Sequence, residues 1–103
     1  MFYVCEAVSA NPLPVPAERV RDVIHPKHIE FVAAGVEKGV VVFGGPKSDA
    51  AGGVILIKAG SLAECRAFLD GDPMVVAGAS HYRITEFLIK EHAPCLDPLL
   101  DGE

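Results

Sequence analysis

Apolar and polar positions change period several times along the chain, and each change marks an element. Phe2 to Val8 is an apolar run with only Glu6 inside it, which predicts a first strand. Asn11-Pro12-Leu13-Pro14-Val15-Pro16 follows, and three prolines in five residues exclude helix and sheet interior. Ala17 to Ile24 carries helix-forming residues for a turn or two. Pro26, with its fixed φ and no N–H, suits the first position of a main helix ending at Gly39. Val40-Val41-Val42-Phe43 is a β-branched and aromatic run, followed by a turn at Gly44-Gly45-Pro46 and a polar link to Gly52-Gly53. Val54 to Ala59 predicts a third strand. Ser61-Leu62-Ala63-Glu64 matches a capping box opening a helix to about Leu69. Asp72-Pro73 starts a short turn through Ala77 that Gly78 closes. Ser80 to Ile89 predicts the last strand, and Lys90 to Glu103 has no assigned structure.

The order β, α, β, β, α, β predicts an α+β fold of the ferredoxin-like kind, a four-stranded antiparallel sheet with two helices on one face. The strands at Val40–Phe43 and Val54–Ile57, read as the central pair, are apolar at consecutive positions, whereas a sheet with one wet face alternates. Both faces therefore need cover, and two helices supply one. A second copy of the chain is the economical cover for the other, predicting a homodimer packed through its sheet faces, with higher assembly open.

At 103 residues the chain holds one domain, placed at 1–90, with a tail at 91–103. Its apolar runs are too short for a membrane span, and the acid-containing N-terminal run does not read as a signal peptide. Cys5, Cys65 and Cys95 are odd in number and lack C-x-x-C spacing, which argues against a disulfide framework or zinc site and suits a reducing cytoplasm. The net charge is −5, and Arg19, Arg21 and Lys27 are interleaved with Glu18, Asp22 and Glu30. That pattern argues against nucleic acid as a partner and leaves small molecules or proteins.

The candidate chemistry centres on His28. At 100° per residue Ile24 and Val32 fall about 40° to either side of it, Gly35 about 20° and Phe31 about 60° away. His28 therefore faces the core from the opening turn of its helix, near a positive helix end. An imidazole there either finds a structural partner or lines a cavity. Asp72 reads equally as the N-cap of its short turn or as a carboxylate that orients an imidazole, and spacing alone does not join the two. Gly44-Gly45-Pro46 lacks the P-loop pattern and reads as a turn or a pocket wall. His25 and His28 with His81 or His92 make only a weak metal pattern, so no metal is assigned. Cys5 and Cys65 read as small core residues.

These pieces together resemble the YciI-like, YCII-related family of the dimeric α+β barrel superfamily. The matching residues are Phe2-Tyr3-Val4, Pro26-Lys27-His28-Ile29, Gly39, Gly45-Pro46, Ser61-Leu62, Asp72-Pro73 with Val76-Ala77-Gly78, and a strand reaching Phe87. The resemblance implies a sheet-to-sheet dimer with a pocket between helix and sheet, where His28 and Asp72 form a His-Asp pair. The chain departs from the family at His25, where arginine is frequent, and at Met74, where tyrosine follows the Asp-Pro. With Gly45 and Pro46 these are the candidate substrate-binding positions. By analogy with muconolactone isomerases and a dehydrochlorinase in the superfamily, the implied activity is cofactor-independent. It would be isomerisation or elimination on a small ring compound or lactone, with His28 as general acid or base. The alternatives are a non-catalytic module that binds a small metabolite, and a purely structural His-Asp contact.

Overall fold

The structure, a computed structural model, describes residues 1–100; the last three residues of the tail lie outside them. Four strands, β1 (Phe2–Ser9), β2 (Val41–Pro46), β3 (Gly53–Lys58) and β4 (Ser80–Phe87), form one antiparallel sheet in the order β2-β3-β1-β4. Helices α2 (His25–Glu37), α3 (Leu62–Leu69) and α4 (Pro73–Val76) connect them. This is the α+β architecture read from the sequence.

The register divides β1 into two faces. Tyr3 and Cys5 are fully buried and share a core with Val41, Ile55, Ile57, Cys65 and Leu69. Phe2, Val4, Glu6 and Val8 point to the opposite face, with Leu56, Val54 and Arg83 beside them in register. Helix α2 closes on the sheet at Gly35, where an added Cβ would come within 2.8 Å of both Phe68 and Val41 side-chain carbons. Phe31 stacks on Phe68 at 4.7 Å between centroids, which locks α2 against α3.

Four expectations about the elements change. Pro26 stands in the first turn of α2, as expected, but that start is not a free helix end: α1 (Ala17–Arg19) runs through a π-helical turn, Val20–Ile24, directly into α2. An α-helical Pro26 would clash with the carbonyl four residues back and leave it unbonded. The wider turn, in which the His25 N–H donates to the Val20 carbonyl, carries the helix past that point. His28 consequently lies inside a long helical run, away from any positive helix end. Second, β2 is an edge strand, not a central one; β3 and β1 are central. Third, Gly44, Gly45 and Pro46 are not a turn but the paired end of β2, opposite Ile55, Val54 and Gly53. A Cβ on Gly44 would meet Ile55 Cγ2 at 2.4 Å and the Val54 carbonyl at 2.8 Å, so only glycine lets the strands close after the irregularity between Val41 and Phe43. Fourth, β4 ends at Phe87, two residues early.

The capping box at Ser61 forms in a modified version. The Glu64 N–H donates to Ser61 Oγ at 3.1 Å, while the Glu64 carboxylate accepts from the Gly60 N–H at 2.9 Å, one residue upstream of the usual partner. The tail contains a 3₁₀ turn (Pro94–Leu96) and a short helix, α5 (Asp97–Leu100). Lys58 Nζ donates to the Leu99 carbonyl at 3.0 Å, which brings the tail to the end of β3. No described helix is long and apolar enough to cross a membrane.

Candidate functional site

The site assembles where α2, α4 and β4 meet. Asp72 ends the turn after α3, its N–H donating to the Leu69 carbonyl at 3.0 Å. Extended backbone at Asp72 lets its Oδ1 accept the Met74 N–H at 2.9 Å, and Pro73 takes the first position of α4, where a missing N–H is harmless. The same carboxylate is wholly buried and lies 2.8 and 2.9 Å from His28 Nδ1 through its two oxygens. Its Oδ2 also accepts the Tyr82 hydroxyl at 2.7 Å. The cap and the imidazole contact are thus both made, by one side chain.

Burial pushes the Asp72 pKa up, but hydrogen bonds from His28, the Met74 N–H and Tyr82 outweigh it, and the net direction is down. Asp72 is therefore an ionised acceptor. It follows that the hydrogen between it and His28 belongs to Nδ1, and that neutral His28 presents Nε2 as an acceptor. Among the described residues Nε2 has no hydrogen-bond partner, and the His28 side chain keeps 23% of its surface open. Burial, then the Asp72 carboxylate, push the Tyr82 hydroxyl far up, so Tyr82 stays a neutral donor.

The other candidate residues take different places. The His25 ring lies 5.6 Å from that of His28, tilted by 32°, and is exposed. Met74 reaches the site through its backbone N–H. Pro46 pairs with Gly53 at the end of β2, and β3 and β1 stand between β2 and the β4 strand that carries Tyr82. Three strand spacings separate its backbone from that of Tyr82, roughly 14 Å. Gly45 is exposed, with open space where a Cβ would stand, and neither glycine nor proline touches the His28–Asp72 pair by a hydrogen bond. His81 is exposed opposite Val8, and His92 pairs with Asp97 at 2.8 Å. No group of three or more His, Cys, Asp or Glu side chains gathers to hold a metal among the described residues.

Tyr82 was not singled out from the sequence. Its signal is the alternation of β4, where Ser80, Tyr82 and Ile84 point inward. A buried tyrosine needs a partner for its hydroxyl, and Tyr82 is the inward-facing polar-tipped ring of β4.

The YCII-related domain profile matches residues 1–88. The chain belongs to this family. It is 40% identical to the uncharacterized protein YjpA of Bacillus subtilis (strain 168) over 65 residues, which is 62% of this chain and 75% of that one. Among solved structures it is similar to 5-chloro-2-hydroxyhydroquinone dehydrochlorinase (TftG) from Burkholderia phenoliruptrix AC1100, in complex with 2,5-dihydroxybenzoquinone. That match has a TM-score of 0.67 and 18% identity, covering 85% of this chain and 94% of the other. At that identity the likeness establishes the shared fold.

Proposed function

We propose that the chain is a small-molecule enzyme in which His28 is the general acid or base and Asp72 its orienting partner. One observation carries this reading: a buried, ionised Asp72 fixes Nδ1–H and leaves Nε2 unpaired on the partly open side of the ring. A carboxylate so held orients the imidazole, which then moves a proton at Nε2, an arrangement worth about 10²- to 10⁴-fold in rate. Tyr82 positions the carboxylate and touches no substrate. The chemistry needs only a proton transfer, so the substrate class is a compact ring compound or lactone with an acidic C–H or O–H. Isomerisation or elimination of halide follows without a cofactor, and the ring ligand of the dehydrochlorinase neighbour supports that class. His25, beside the His28 ring, and Met74, at the start of α4, are the nearest of the proposed substrate-binding positions; Gly45 and Pro46 would bound a larger substrate.

Turnover of a panel of halogenated hydroquinones and ring lactones by wild type and His28→Ala tests this. Loss of about 10²-fold or more in the variant, with the fold retained, is expected; equal turnover would reject the assignment. Because Asp72 also caps α4, a structural role for the pair has its own support. His28→Asn separates the two, since it keeps a hydrogen-bond donor toward Asp72 but supplies no base. Saturable binding without conversion would make the chain a binding module.

The assembly we propose is a homodimer through the face of the sheet opposite α2 and α3. Phe43 is 61% exposed there, beside Val4, Val54 and Leu56 in register. Phe43→Glu would shift a dimeric species toward monomer in sedimentation velocity; an unchanged profile would place the interface elsewhere. Cys5, Cys65 and Cys95 are free thiols, with Cys5 and Cys65 Sγ in hydrogen-bond contact at 3.8 Å, which fits the reducing, cytoplasmic setting we propose.

A further inference from the structure

A cleft of about 430 Å³ lies between the first helical segment and α4, on the outer side of the elements that supply His28 and Asp72. Its walls include Val15, Val23, Pro73 and Val76, with the cations Arg19 and Lys27 and no acidic residue. Along the sequence these cations alternate with Glu18, Asp22 and Glu30, but the fold sorts them. Arg21 turns away and takes Asp22 at 2.7 Å, whereas neither Arg19 nor Lys27 makes an ion pair among the described residues. In a chain of net charge −5, this is an apolar concavity edged only by positive charge.

The Pro-rich segment builds one wall. The Ala10 N–H donates to the Ala79 carbonyl at 2.8 Å, and a Cβ on Gly78 would touch Pro14 at 3.4 Å. The segment is thus fastened over the end of α4 with Val15 turned into the cleft, and its prolines limit the entropy lost when a ligand orders it. Elsewhere in its lining Val76 of α4 is 73% exposed and Val23 of the helical segment 37%, two apolar side chains left for something apolar to cover.

We infer that this cleft is a second ligand site, for a small organic anion with an apolar body such as an arene- or alkyl-carboxylate. The carboxylate would accept charge-assisted hydrogen bonds from Arg19 and Lys27, and the ring or chain would cover Val23, Pro73 and Val76. The size lies within the range of small-molecule pockets, roughly 300–1,000 Å³. Neither His28 nor Asp72 lines the cleft, so this site stands whether or not the pair is catalytic. Its occupant would bridge the two elements that carry the pair.

The test is a titration of the full chain with 1-naphthoate, 1-naphthamide and acetate, followed in amide NMR spectra. Saturable shifts at Gly71, Val76 and Ala77 with naphthoate are expected, with binding weaker by about tenfold or more in Arg19→Gln/Lys27→Gln. The neutral amide and the small anion should each bind much more weakly, and His28→Ala should leave naphthoate affinity unchanged. Absence of saturation, equal binding of the amide or of acetate, or affinity that survives the double variant would overturn the site. So would shifts centred on Tyr82 and His28 instead of the cleft.

Discussion

Replacing Asp72 by asparagine tests the electrostatic arrangement of the site without needing a substrate. The carboxylate accepts from His28 Nδ1, the Met74 N–H and the Tyr82 hydroxyl while fully buried. Hydrogen bonds to a charged group are worth about 1.5–3 kcal/mol against about 0.5–1.5 for neutral ones, so three bonds lose roughly 3 kcal/mol together. Relief from burying a charge returns part of this, leaving an expected loss of about 1–3 kcal/mol. Asparagine also presents an N–H₂ where one carboxylate oxygen stood, and if that group faces His28 the imidazole accepts at Nδ1 and carries its hydrogen on Nε2. Urea denaturation gives the stability change, and long-range ¹H–¹⁵N imidazole spectra give the tautomer. The expected results are destabilisation in that range and a change from Nδ1–H toward Nε2–H at His28. Asp72→Asn with stability within about 0.5 kcal/mol of wild type and an unchanged His28 pattern would refute the reasoning.

Four further outcomes follow from individual contacts. Because the Asp72 pKa is lower folded than unfolded, its stabilisation is complete above the unfolded value of about 3.9 and is lost as pH falls through the folded value; the stability gap between wild type and Asp72→Asn should narrow over that acid range. Tyr82→Phe removes one hydroxyl donor to a charged acceptor and should cost about 1.5–3 kcal/mol in urea denaturation while leaving the His28 tautomer unchanged. Gly35→Ala drives a methyl to 2.8 Å from Phe68 and Val41 carbons, so the midpoint of unfolding should fall by about 1–3 kcal/mol equivalent. In native protein a thiol reagent should label exposed Cys95 first, whereas Cys5, buried and pushed up to about 12, and buried Cys65 should react only with unfolding.

The fold was legible because its signals are local and mutually consistent. Short apolar, β-branched runs bounded by Gly and Pro marked the strands, and Ser61 and Asp72 marked helix starts through side chains that do accept the expected backbone N–H groups. The stripe around His28 also holds: Ile24 and Gly35 are buried and Val32 half-buried. Both partners of the candidate pair could be named, but 44 residues separate them, and only the family resemblance proposed their meeting. Tyr82 was harder. Its role depends on the β1–β4 register, which sets Tyr82 opposite Ala7, and a slip of one residue would turn the ring to the other face. The assignment of Val40–Phe43 to the sheet centre failed for a related reason. Consecutive apolar residues mark two faces that tend to be covered, not a position in strand order, and Phe43 in the edge strand is in fact open on the face opposite α2 and α3.

Pro26 shows how one backbone feature can hide both a helix and a binding surface. In sequence it separates two helical segments; in the structure a π-helical turn joins them, so a single run carries Arg19, Val23, Lys27 and His28 past α4. A π turn adds a residue to the cycle, which rotates everything before it by roughly 100° relative to an uninterrupted α-helix. Angles counted back from His28 therefore hold as far as Ile24, at the end of that turn, and lose their meaning upstream. In sequence the charges of residues 18–30 alternate in sign, which argues against nucleic acid as a partner but does not show how the fold sorts them. Once the extra residue is counted, Arg19 and Lys27 line one concavity while Arg21 pairs with Asp22 outside it. The proline thus forces the irregularity that gives this helix two differently directed working faces, one holding His28 to Asp72 and the other edging the cationic cleft.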